Sequence, residues 1–325
     1  MAHSSGNDHI PPALLSPADL AARGIDRRET AKLVDRGRLR RLRSGLYIER
    51  DDEPGSVAGV PSYEAARRDF LDRTRAAARA IEPGTVISHG SALALHGLPL
   101  HGVPLDRPSA TRHRPGGGSR RSSALTCWNL PVVGSTTVVD GIEVTSPART
   151  IIDVARTVSL ESGVCAGDAA IRRSLVTRSD LQAEADAARG RSGAARARAL
   201  PALTSGLAES VLESLIRVIL VLGGVPEPEL QVWLGVRGGE RFRVDLYWRE
   251  WRLVGEADGF AKYGTGQEQI RGSWNAERRR QSQIEDAGFV VLRWTWEDLR
   301  HPRRIVDQVE RAMRRQERLG LGPGA

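Results

Sequence analysis

The stretch RFRVDLYWREWRLVGEAD, residues 241–258, decides how the C-terminal third of this chain reads. Two runs of alternating character, 241–248 and 251–258, flank Arg249-Glu250, a pattern that predicts an antiparallel hairpin. With a two- or four-residue loop, Asp245 stands opposite Val254 and Arg243 opposite Glu256. Side chains alternate with period two, so one face shows Arg243, Asp245, Tyr247, Arg252, Val254, Glu256 and Asp258. The other face shows Val244, Leu246, Trp248, Trp251, Leu253, Gly255 and Ala257, an almost clean split of polar from apolar. Asp245 and Glu256 become diagonal neighbours, about 7–8 Å apart at the backbone. Carboxylates that close repel, and are either protonated or neutralised by a cation. An oxygen-only ligand set suits Mg²⁺ or Mn²⁺. Such an ion lowers the pKa of a bound water and stabilises charge on a phosphate under attack. The competing reading is a strand end whose acids are solvated or paired with Arg243 and Arg252.

Working outward, residues 207–222 predict an apolar-rich helix with Glu209, Glu213 and Arg217 on one face at successive i+4 steps. A strand is expected over 229–236, a helix over 269–287, a buried strand over 289–294 and a basic helix over 303–318, giving the order αβββαβα. The Ala/Arg/Gly stretch 190–205 reads as a boundary. Upstream, residues 63–81 predict a helix stopped at Pro83-Gly84. Asp140-Gly141 between two apolar runs predicts a hairpin with a primed turn. Ser146-Pro147 caps a helix over 148–158. Residues 112–123 read as a loop that does not pack. His89 and His96 lack further ligands nearby, so local hydrogen bonding is the expectation for both.

The front of the chain carries the charge. The whole sequence has 48 Lys and Arg against 40 Asp and Glu, a net charge of +8, and nine basic against three acidic residues fall within 23–43. A patch of one sign at this density favours a polyanion, most often nucleic acid. Ser16-Pro17 opens a short helix ended by Gly24, and Asp26 caps a second over 27–35. Leu39, Leu42, Leu46 and Ile48 around Ser44-Gly45 read as two short strands. Helix, turn, basic helix and basic hairpin form the order of a winged helix-turn-helix, in which Arg27, Arg28 and Lys32 enter the major groove and Arg38, Arg40, Arg41 and Arg43 reach phosphates. Residues 51–61 read as an acidic, Pro/Gly-bearing linker.

Composition closes off other classes. Hydrophobic residues at 40 % and charged residues at 27 % exclude wholesale disorder. The longest apolar run, Val218–Leu222, falls far short of the about 20 residues that span a bilayer, so no membrane association is expected. The N-terminus MAHSSGNDHI lacks the basic flank and apolar core of a signal peptide, and Cys127 and Cys165 have neither metal nor redox spacing. A cytoplasmic protein is expected. The whole reads as an α+β multidomain chain: a winged helix-turn-helix over 1–56, a mixed α/β middle domain over 57–200 and an αβββαβ domain over 201–325.

Two resemblances add to this. Val244-Asp245-Leu246, Glu256-Ala257-Asp258-Gly259, residues 288–294 and Glu209 resemble a family related to Vsr and MutH endonucleases, within the PD-(D/E)XK nuclease superfamily, over about 205–318. That resemblance implies a restriction-endonuclease-like core with Asp245 and Glu256 as metal ligands and Glu209 assisting. Asp258 stands where the superfamily has lysine, and Lys262 is the nearest replacement for it in sequence. Residues 16–50, with Ser88–Ala92, Asp140–Thr150 and Asp153, resemble the AbiEi-type antitoxin and transcriptional-regulator family over about 16–200. That implies operator DNA as a partner, repression of a toxin operon, a nucleotidyltransferase-like toxin and a middle domain serving toxin neutralisation or homodimer contacts. The leading expectation is a DNA-binding protein with a metal-dependent endonuclease-like domain. The alternative is a non-enzymatic repressor whose C-terminal fold is degenerate.

Overall fold

A computed structural model describes residues 14–43, 45–49, 62–113, 119–121, 125–132, 134–235, 239–259 and 279–323. The linker predicted over 51–61, most of the helix predicted over 269–287, and Lys262 lie outside the described residues. The chain separates into two compact units, one holding residues up to 97 with 104–146, the other holding 98–103 with 147 onward.

In the first unit, helix α1 (Pro17–Ala22) starts at a capping box in which Ser16 and Asp19 satisfy each other's backbone N–H groups. These bonds from Ser16 hold the Asp19 carboxyl below its ordinary range. Helix α2 (Arg27–Asp35) starts at Asp26, whose carboxylate accepts the Glu29 N–H at 2.7 Å. Strands β2 (Leu39–Arg43) and β3 (Leu46–Glu49) form the expected hairpin. A third strand, β1 (Leu14–Leu15), pairs with β3 and completes a sheet ordered β1-β3-β2. Two residues are too few to show a period, which is why β1 is not legible in the sequence. One side of this sheet packs Leu15 and Leu39 on Leu20 of α1, with Leu33 and Val34 of α2 against them. The other packs Leu14, Leu46 and Ile48 on Ala76 of α3 (Tyr63–Ala78).

A six-stranded sheet follows, ordered β6-β7-β5-β4-β9-β8. Its strands are β4 (Thr85–Ile87), β5 (Ser109–Arg112), β6 (Ser119–Arg121), β7 (Thr126–Asn129), β8 (Thr136–Val139) and β9 (Ile142–Thr145), with helix α4 (His89–Leu95) after β4. Asp140 at φ 51° and Gly141 at φ 74° make the primed turn predicted between β8 and β9. The predicted loop 112–123 needs correction: residues 119–121 form edge strand β6, antiparallel to β7. Tertiary pairing there outweighs the loop signal of serine and arginine.

The second unit begins with α5 (Pro147–Thr157), α6 (Leu160–Arg172) and α7 (Arg178–Ala187). The stretch 190–205, read as a boundary, is itself structured. It forms α8 (Ala194–Ala197) and α9 (Leu200–Leu203), with Ala197 and Leu200 fully buried, because small residues let these turns pack closely on the neighbouring helices. Gly193, at φ 76°, lies so near Arg156 that a Cβ there would clash with its carbonyl oxygen.

The remaining elements follow the expected order: α10 (Val211–Leu222), β10 (Glu229–Gly235), β11 (Arg241–Trp248), β12 (Leu253–Ala257), α11 (described over 279–286), β13 (Val290–Trp294) and α12 (Pro302–Arg318). The sheet runs β10-β11-β12-β13, antiparallel except that β13 is parallel to β12. One face buries Leu246, Leu253 and Trp294 against α10 and α12. The opposite face buries Tyr247 and Val254 against Ile284 of α11. Part of the face read as polar is therefore a second core.

Candidate functional site

The carboxylates stand on the β11–β12 hairpin, but in a register different from the expected one. Tyr247 lies opposite Val254 and Leu246 opposite Gly255, so the ladder is shifted by two residues and its next step sets Asp245 opposite Glu256. The loop is four residues, 249–252, with Arg252 in the left-handed region at φ 47°. A shift of two preserves side-chain parity, so both acids still share a face.

Asp245 is held by its neighbours. Its Oδ2 accepts the Ala257 N–H at 2.9 Å, and its Oδ1 accepts from Gln231 Nε2 at 3.3 Å. The same Gln231 amide donates to Glu213 Oε2 at 2.8 Å, so one side chain bridges two acids. Burial, together with the charge of Asp245, pushes the Glu213 carboxyl above its ordinary value, while the Glu209 N–H and Gln231 pull the other way. Glu209 itself needs correction. The helix starts at Val211 with Ser210 as its cap, so Glu209 precedes it and pairs with Arg243 Nη2 at 2.6 Å. Serine at the cap position ends the helix there, because its hydroxyl satisfies the Glu213 N–H. Glu213, one turn on, is the acid joined to Asp245 through the Gln231 amide.

Glu256 is buried between guanidiniums. Arg280 donates to both its oxygens, at 2.6 and 3.2 Å, and Arg293 lies 3.2 Å from Oε2. Arg280 also donates to the Arg243 carbonyl at 2.8 Å, which ties α11 to the hairpin. Asp258 is exposed past the end of β12, with its N–H on the Trp294 carbonyl at 2.8 Å. As placed, the described residues do not fit Mg²⁺ or Mn²⁺. A divalent ion needs carboxylate oxygens turned toward a shared point, whereas Glu256 faces two guanidiniums and Asp245 faces an amide and a backbone N–H. Among the described residues, no group of three or more His, Cys, Asp or Glu is placed to hold a metal.

At the N-terminal end the basic residues divide. Arg27, Arg28, Lys32, Arg38 and Arg41 are exposed. Lys32 pairs with Glu29 at 3.1 Å, within α2. Arg40 is not on that surface: it pairs with Asp69 and Asp72 of α3, because alternation along β2 turns it inward between two acids. The Arg43 side chain lies outside the described residues.

His89 bonds locally as expected, whereas the partner of His96 lies 49 residues away. His96 Nε2 bonds the Thr145 carbonyl at 2.8 Å, and His89 Nδ1 bonds Ser88 Oγ at 2.9 Å while its ring stacks on Trp128. In α5, Asp153 is fully buried and bound at 2.6 Å by both Arg149 and Arg156, one turn apart on either side. A second buried pair, Asp168 with Arg217 at 3.0 Å, joins α6 to α10. Arg217 interrupts the apolar run VLESLIRVILVL, a signal that marks it for a buried partner without naming Asp168. Gln231, Arg280 and Arg293 leave no such signal.

These elements fall within reach of known proteins. Residues 85–203, from β4 through α9, match the family model of the AbiEi antitoxin C-terminal domain. The earlier residues 16–84, included in the sequence resemblance, lie outside that match. Two relatives from Mycobacterium tuberculosis, uncharacterized protein MT2308 of strain CDC 1551 / Oshkosh and uncharacterized protein Rv2248 of strain ATCC 25618 / H37Rv, are each 31 % identical over 183 residues. The alignment covers 56 % of this chain and 66 % of each relative, so it spans slightly under two thirds of their length. No helix among the described residues is long and apolar enough to cross a membrane.

Proposed function

We propose that this chain is a DNA-binding regulator of the antitoxin type, with a winged helix-turn-helix in front and a nuclease-like fold behind that does not cleave. The observation that carries it is the exposed basic face of α2 and β2. Arg27, Arg28 and Arg38 form no ion pair with a described residue, and they lie on a helix–helix–hairpin frame held by its own core. Such a frame lets α2 enter a major groove while Arg38 and Arg41 reach phosphates beside it. The match of residues 85–203 to an antitoxin domain supports the same class and a toxin partner; that the toxin is of nucleotidyltransferase type rests on the sequence resemblance alone. The cytoplasm is where that work is done.

For the C-terminal domain, the order αβββαβα and the paired acids support a PD-(D/E)XK-like ancestry. The guanidiniums on Glu256 favour the non-enzymatic reading. Millimolar Mg²⁺ is expected to leave the melting temperature unchanged and to produce no cleavage of duplex DNA. A metal-dependent rise in melting temperature that Asp245→Ala abolishes restores the enzyme reading.

The docking surface is tested by titrating salt against duplex affinity for the wild type and for Arg27→Ala/Arg28→Ala/Arg38→Ala. Each lost phosphate contact is expected to lower the log–log slope by about 0.9. An unchanged slope rejects the N-terminal surface.

A further inference from the structure

Helix α12 is strongly amphipathic. Its inner face, Ile305, Val306, Val309 and Met313, is buried in the core against the four-stranded sheet. Opposite lie four exposed arginines, Arg304, Arg311, Arg315 and Arg318. At about 100° per residue they fall within about 60° of one another, and a rise of about 1.5 Å per residue spreads them over about 21 Å. The acids of this helix are taken elsewhere: Asp307 by Arg303 at 3.0 Å, Glu310 by Arg314 at 3.5 Å, and Glu317 by the Trp251 indole at 3.0 Å. The four outermost guanidiniums form no ion pair with a described residue.

We infer that this stripe is a second docking surface for duplex DNA, lying along the phosphate backbone. It belongs to the other compact unit and is independent of α2 and the wing. A row of single-sign charges suits a polyanion carrying one charge per about 1.7 Å of duplex axis. Guanidinium forks match phosphate oxygens two at a time. Three other occupants fit less well. A membrane surface recruits a helix through a free apolar face, and that of α12 is committed to the core. Single-stranded nucleic acid calls for aromatic side chains to stack on, and the stripe has none between Arg304 and Arg318. A protein partner calls for aromatic or large apolar anchors at the centre of the contact, also absent there.

The test uses the full chain, with Arg304→Gln/Arg311→Gln/Arg315→Gln/Arg318→Gln beside Arg27→Ala/Arg28→Ala/Arg38→Ala. Probes are duplex DNA without a chosen sequence, single-stranded DNA, duplex RNA and phosphatidylserine vesicles. The stripe variant is expected to melt as the wild type does, since these side chains are exposed. Its salt slope for duplex DNA should fall by about 0.9 per contact, up to about 3.6 for all four. A slope equal to the wild type's overturns the proposal. So does a loss confined to vesicles, single strands or RNA. If the stripe variant loses slope while the α2 variant does not, the stripe stands and the N-terminal reading falls. The reverse result rejects the stripe alone.

Discussion

At position 255 the backbone and one aromatic ring settle the residue. A Cβ on Gly255 would lie 2.7 Å from Trp294 Cζ3 and 3.1 Å from Cη2, and the Trp294 ring is fully buried with its N–H on Gln308 at 2.8 Å. Neither the ring nor strand β12 has room to give. Gly255→Ala is therefore expected to cost about 1–3 kcal/mol as an overpacked core, read as a lower denaturant midpoint. A midpoint equal to the wild type's contradicts the packing assigned to Trp294. The sequence shows Gly255 on the apolar face of a strand, where glycine is unfavourable, and so hints at a close approach. It does not show which ring approaches, because that depends on β13 returning parallel beside β12.

At the scale of elements, the β11–β12 hairpin and the start of α10 position the acids, and here the sequence was legible in part. Parity follows from period two and survives a two-residue shift of register, so the shared face of Asp245 and Glu256 was readable. Register depends on loop geometry, and the left-handed Arg252 that sets it has no signature in arginine's usual preferences. Glu213 and Glu209 show the same limit: the apolar period runs through both, and the Ser210 cap decides which is helical. Glu213 also makes the site pH-sensitive. Its folded pKa is raised above the ordinary 4.5, so its contribution to stability is full below that value and is lost as pH rises through the folded pKa. Glu213→Gln is expected to gain on the wild type in denaturant unfolding as pH rises above the ordinary 4.5. A difference that does not change with pH on rising from below 4.5 contradicts a buried Glu213 beside the charge of Asp245.

At the scale of the whole molecule, charge and composition point to a polyanionic partner, while the roles of single residues depend on three-dimensional contacts. Arg40 counts toward the basic cluster in the sequence, yet α3 neutralises it through Asp69 and Asp72. Glu256 counts toward a metal site, yet Arg280 and Arg293 neutralise it from elements read as a helix and a buried strand. In both cases the partner is distant in sequence, and no local pattern reports it. The basic face of α2 stays exposed, and on the function proposed above this helix reads operator DNA as a repressor does. The direct measurement is a footprint on the DNA upstream of the chain's own gene at physiological salt, comparing the wild type with Arg27→Ala/Arg28→Ala. A repressor gives a discrete protected site for the wild type that the variant loses at the same concentration. A footprint of equal position and strength from the variant, or no protected site from the wild type, would contradict that function.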